Sequence, residues 1–140
     1  MAWIGWDVEA VDWELDKGMD LTEPEVQQKY LKLASKAKVS LVATPCDTLS
    51  KIRNKPIPGH PNPPLPLRNA DHIWGLPGLG DRDRKKAEDG NKLVEFSLQY
   101  AEKVDEAGNG VLLETPLNSW FHQFPRKKKL VARSNWVQLQ

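Results

Sequence analysis

Val39-Ser-Leu-Val-Ala-Thr-Pro-Cys-Asp-Thr-Leu-Ser50 opens with a short uncharged run, stops at Thr44-Pro45, and sets Cys46, the chain's one cysteine, just past the stop. An apolar run of this length closed by a turn signal reads as a buried strand. Proline has no amide hydrogen and holds its predecessor extended, so the strand ends at Thr44. Cys46 then falls on a loop at the carboxyl end of a strand, where open α/β sheets place their chemistry. Val111-Leu-Leu-Glu-Thr-Pro116 echoes the arrangement, with Glu114 at the strand end before a second Thr-Pro.

Working outward, Thr22, Pro24 and Glu25 form a helix start ahead of a helix from about Glu23 to Ser35, with Val26, Tyr30, Leu33 and Ala37 on one face. Before it, Val8 to Asp12 alternates in the manner of a short strand ending near Asp12 or Glu14. After the cysteine, residues 51–81 carry so many prolines and glycines that they read as a long extended loop. A second helix follows from Asp83 to about Glu106, ended by Gly108 and Gly110. Gly110 to Glu114 is the second strand, and Leu117 to Pro125 a short helix or turn. The basic run Arg126-Lys-Lys-Lys129 leads into a short edge strand over Trp136–Gln140. This order of strands and helices predicts a parallel sheet flanked by helices, with Cys46 and Glu114 at one carboxyl edge. Neighbouring strands lie about 4.8 Å apart, close enough for both side chains to meet one small ligand.

Composition bounds the rest. At 140 residues the chain reads as one domain, and 20 basic against 19 acidic residues leave no global field demanding a polyanion or membrane partner. One cysteine excludes an internal disulfide and suits a reducing compartment. No apolar run reaches membrane-spanning length, and the N-terminus lacks the layout of a signal peptide. The expectation is a soluble intracellular protein, nuclear if eukaryotic, without a membrane partner.

Pro45-Cys46 followed by Leu49-Ser50 resembles the Pro-Cys-Gln-x-Phe-Ser motif of the C5-cytosine DNA methyltransferases, and Glu114-Thr115-Pro116 is similar to that family's Glu-Asn-Val motif. The intervening loop and helix match as well. Upstream, Asp12 and Glu14 resemble the acids that end the ribose-binding strand, and Asp20-Leu21 the acidic motif near the cofactor's adenine. The resemblance spans roughly residues 5–125. It implies an α/β fold with a partial Rossmann-like, mostly parallel sheet, flanking helices and the long Pro/Gly-rich loop, forming a single partial methyltransferase-like domain over residues 1–140.

In chemistry the resemblance implies that Cys46 attacks C6 of a flipped cytosine while Glu114 binds the ring's N3 and amino edge. S-adenosylmethionine is the implied cofactor, held by Asp12, Glu14, Asp20 and Pro45. DNA is the implied partner, touched by Ser50, Lys51, Arg53, Lys55 and Arg68 after the cysteine, with Arg126 and Lys127 of the basic run as further candidate nucleic-acid contacts. Asp47, Leu49 and Thr115 stand where the family has Gln, Phe and Asn. Its glycine-rich cofactor loop, arginine motif and target-recognition region have no counterpart, so the chain reads as an incomplete or diverged member.

The other class of reading is a catalytically inactive nucleic-acid-binding or protein-interaction module. Arg126-Lys-Lys-Lys129 lies among Trp120, Phe121, Phe124 and Trp136, pairing cations with stacking faces, and Pro56 to Pro66 suits an aromatic groove. A phosphatase loop fails on spacing, because six residues rather than five separate Cys46 from Arg53. Three scattered histidines and one cysteine lack the spacing of a metal site.

Overall fold

A computed structural model describes residues 5, 7–55, 58, 59, 61, 64–133 and 135–138. Its elements in order are α1 (Pro24–Ala34), β1 (Val39–Ala43), α2 (Asp81–Glu106), β2 (Gly110–Glu114) and α3 (Pro125–Val131). Single 3₁₀ turns occupy Lys17–Met19, Lys51–Asn54 and Trp120–Gln123. The fold is α/β, built on a two-stranded parallel sheet whose register pairs Val39 with Gly110 and Ala43 with Glu114. Among the described residues no helix is long and apolar enough to cross a membrane.

α2 is the central element. Phe96 and its neighbour Tyr100 meet Tyr30 and Leu31 of α1, while Val94, Leu98 and Ala101 join Leu49, Trp120, Phe121, Phe124 and Leu130 in the main core. Serving both sides requires apolar residues over a wide arc of the helix, and Gly90 and Ser97 are buried too. Gly108, at φ 73°, ends the helix in the left-handed conformation that glycine adopts without strain. Its amide donates to Asp105 O and that of Asn109 to Val104 O, so the chain reverses directly into β2.

The sheet is covered on one side only. Ser40 is buried with its hydroxyl 3.2 Å from Tyr100 Oη of α2, and Val111 and Leu113 pack against the main core. Val39, Leu41 and Leu112 alternate with these and are 64%, 70% and 58% exposed. The expected fully buried strand is therefore half-covered, because α2 packs on a single face.

Two further expectations change. Residues 7–12 form no strand and are exposed, since the alternating Val8, Ala10 and Asp12 meet no neighbouring strand. The basic run lies on α3, which starts at Pro125 and buries Leu130. Trp136–Gln138 form no strand, and the remainder of that expected element lies outside the described residues.

Phe121 is fully buried, so Phe121→Ala is expected to lower unfolding free energy in urea by about 3–5 kcal/mol. Leu41→Ser, on the open sheet face, is expected to shift it by no more than about 0.5 kcal/mol.

Candidate functional site

The parallel register places the chain segments leaving β1 and β2 side by side at one sheet edge, and both begin with Thr-Pro. Beyond β1, Cys46 O accepts from Leu49 N at 3.1 Å and Ser50 N at 2.8 Å, folding Cys46–Ser50 into a closed turn. Beyond β2, Thr115–Trp120 runs alongside that turn. Trp120 N donates to Leu49 O at 2.8 Å, Lys51 N donates to Asn118 O at 3.1 Å, and Ser50 and Ser119 form an antiparallel bridge. His122 Nε2 lies 3.0 Å from Pro116 O and braces the second segment from below. Cys46 and Glu114 both project to solvent from this laced edge. Thr44 Oγ1, one residue before Pro45, is buried with no hydrogen-bond partner among the described residues.

Arg68 fixes the turn from the other side. Fully buried, it donates from Nε to Thr48 O, from Nη2 to Thr48 Oγ1 and Ala87 O, and from Nη1 to Ile73 O and Asn91 Oδ1. One guanidinium thus joins the Cys46 turn, the long loop and α2, with its planar fork matched to acceptors on several sides. Asn91 Nδ2 donates to Trp74 O, adding a second tie from α2 to the loop. Burial pushes the Arg68 pKa down to about 10, opposed by the field of Asp47, so the group stays cationic at neutral pH.

This placement corrects the expectation that Arg68 contacts phosphate: its donors are spent internally and none of its surface reaches solvent. Lys127 is likewise buried, and desolvation lowers its pKa. Arg126 bridges Glu95 and Glu102 at 3.2 Å each, on a face set by α2 rather than by the sheet edge. Among the residues nearest Cys46, Lys51 stacks over the Trp120 ring at 4.6 Å, Ser50 is half-buried in the bridge, and Arg53 reaches Leu65 O. Lys55 is exposed.

The four residues expected at the cofactor each have a describable setting. Pro45 is exposed beside Cys46. Asp12 and Glu14 lie on an exposed turn, where Asp12 Oδ1 accepts from Glu14 N and Glu14 pairs with Lys17. Asp20 Oδ1 is occupied by the amide and hydroxyl of Thr22 at 2.9 and 2.8 Å, bonds that hold its carboxyl below the usual range. Two hollows of about 450 and 420 Å³ are lined by α1 with the end of α2 and by Trp74 with α2 and α3. Neither touches Cys46 or Glu114.

Thr48, Gly90, Asn91 and Ser119 escaped the sequence reading. One signal was present: a Gly inside a helix costs about 1 kcal/mol relative to Ala and marks a close approach. A Cβ on Gly90 would lie 2.4 Å from Thr48 Oγ1 and 3.0 Å from Arg68 Nη2.

Arg68→Met leaves the carbonyls of Thr48, Ile73 and Ala87 without their donor and is expected to cost at least about 3 kcal/mol in urea unfolding. Asp20 has a depressed folded pKa, so its contribution to stability is present above the unfolded value of 3.8 and is lost as pH falls through the folded value. Asp20→Asn is therefore expected to flatten the acid limb of a stability–pH curve.

Compared with protein-family models, curated proteins and solved structures, the chain matches none.

Proposed function

We propose that the chain carries the nucleophile-and-acid half of a cytosine C5 base-modifying site, on a partial Rossmann-like sheet of the C5-cytosine DNA methyltransferase kind. The observation that carries this reading is the register of Ala43 with Glu114 in adjacent parallel strands, which sends Pro45-Cys46 and Glu114-Thr115-Pro116 off one edge. The Ser50–Ser119 bridge keeps the two segments together beyond the strand ends.

In this reading the Cys46 thiolate adds to C6 of an extruded cytosine, forming an S–C6 bond. The electron pair of the C5–C6 double bond moves toward C5 and the ring's N3–C2 carbonyl system. Glu114, as the acid, holds a proton at N3 and accepts from the exocyclic amine, stabilising that charge. The adduct is resolved by return of the pair and expulsion of the thiolate. Lys51, Arg53 and Lys55 follow the Cys46 turn and supply positive charge for a phosphate backbone.

S-adenosylmethionine is the methyl donor that the family uses. Asp12, Glu14 and Asp20 are the acids that the resemblance would give it; Asp12 Oδ1 accepts from Glu14 N, and Asp20 Oδ1 from the amide and hydroxyl of Thr22. Lys51 over the Trp120 ring favours one alternative, a nucleic-acid-binding module without methyl transfer, because it sets a cation beside an aromatic face.

Single-stranded DNA containing 5-azacytosine separates the two. Addition of Cys46 to its C6 places the electron pair on N5, which takes a proton from water and gives an adduct that reverts only when N5 loses that proton. The expected result is a covalent complex in denaturing mass spectrometry that Cys46→Ser abolishes and Glu114→Gln slows by about 10²-fold or more. Binding that survives Cys46→Ser, with no adduct from the parent chain, would establish the binding module instead.

A further inference from the structure

We propose that Arg68 is a positioning residue for Cys46, with Gly90 supplying the space that lets it act through Thr48. Thr48 lies two residues past Cys46 inside the closed Cys46–Ser50 turn, and both its carbonyl and its hydroxyl are held by Arg68. The same guanidinium is seated on α2 through Ala87 O and Asn91 Oδ1, so the position of the turn is referred to a 26-residue helix. Leu49 and Ser50 are tied to the segment beyond β2, which fixes the turn on its far side. Cys46 is thereby exposed on a backbone with little freedom, the arrangement that favours a nucleophile needing one attack direction. Gly90 is the sensitive point, because the nearest atoms to an added Cβ are Thr48 Oγ1 and Arg68 Nη2.

This inference rests on Cys46 as the nucleophile, but its test does not use DNA. The one cysteine is alkylated with bromotrifluoroacetone, giving a ¹⁹F reporter at Cys46 alone. The unsubstituted protein is expected to give one narrow resonance. Gly90→Ala, although it raises helix propensity, is expected to shift or split that resonance while the protein remains folded. Thr48→Ala removes the crowding hydroxyl, so Thr48→Ala combined with Gly90→Ala is expected to return one narrow line matching Thr48→Ala alone.

A Gly90→Ala spectrum identical to the parent's would overturn the proposal, as would splitting that Thr48→Ala does not relieve. A role in stability alone would move the melting temperature and leave the resonance in place. Where Gly90→Ala does not fold, Asn91→Ala removes one Arg68 acceptor without adding volume. A shifted Cys46 resonance in that variant supports the proposal, and an unchanged one overturns it. Failure of the 5-azacytosine adduct with the expected ¹⁹F pattern refutes the nucleophile and not the clamp; an adduct with an unresponsive resonance refutes the clamp and not the nucleophile.

Discussion

A single buried guanidinium organises the carboxyl edge of this sheet. Moving a cation out of water costs several kcal/mol, and the cost is offset only where its donors are met. Arg68 meets that condition with five hydrogen bonds to Thr48, Ile73, Ala87 and Asn91, and with the Phe124 ring 5.9 Å away. No carboxylate accepts any of these bonds; Asp47 acts only at a distance. The group is charged at neutral pH and all its acceptors are neutral, so its net role is to define geometry more than to add stability. The loop that holds Arg68 follows the Cys46 turn in sequence and closes back on it in space. Residues 64–80 are consequently anchored to α2 despite having no regular structure of their own.

Parts of this were legible in the sequence. The helix over Pro24–Ala34 opens on the proline expected in its first turn, although its N-cap is Glu23 rather than Thr22 and no side chain caps it, and β2 begins at Gly110 after a glycine cap. Thr44-Pro45 closes β1 within one residue of the expected end. These are local signals, each written in the residues that obey it. The Arg68 clamp is not local: it joins positions 20 and 23 residues apart, and an arginine in a Pro-rich loop looks the same whether it faces solvent or a core. Lys127 misled for the same reason, as one residue of a basic run turned inward by a helix that the run itself does not announce. The strand expected at Val8–Asp12 failed differently, because alternation states which face would be buried and not whether a partner strand exists.

At the candidate site, legibility followed the same line. That Cys46 and Glu114 leave adjacent strands could be read from two Thr-Pro stops and one intervening helix. That the two exits are laced through Ser50, Ser119 and Trp120 required coordinates, since nothing marks a serine as a bridge partner. The catalytic reading gains from this lacing, which limits relative motion of the two segments. On the side expected to hold the cofactor, Asp12 and Glu14 sit on an exposed turn and Asp20 accepts from the amide and hydroxyl of Thr22.

Everything proposed depends on Cys46 lying against the segment that leaves β2. A nitroxide on the native cysteine measures this directly through paramagnetic broadening of backbone amides. The account predicts the strongest loss of signal at Glu114, Thr115, Leu117, Asn118 and Ser119, with Gly108 to Gly110 at the opposite end of the sheet much less affected. Broadening centred on Gly108 to Gly110, or spread evenly over both ends, would contradict it.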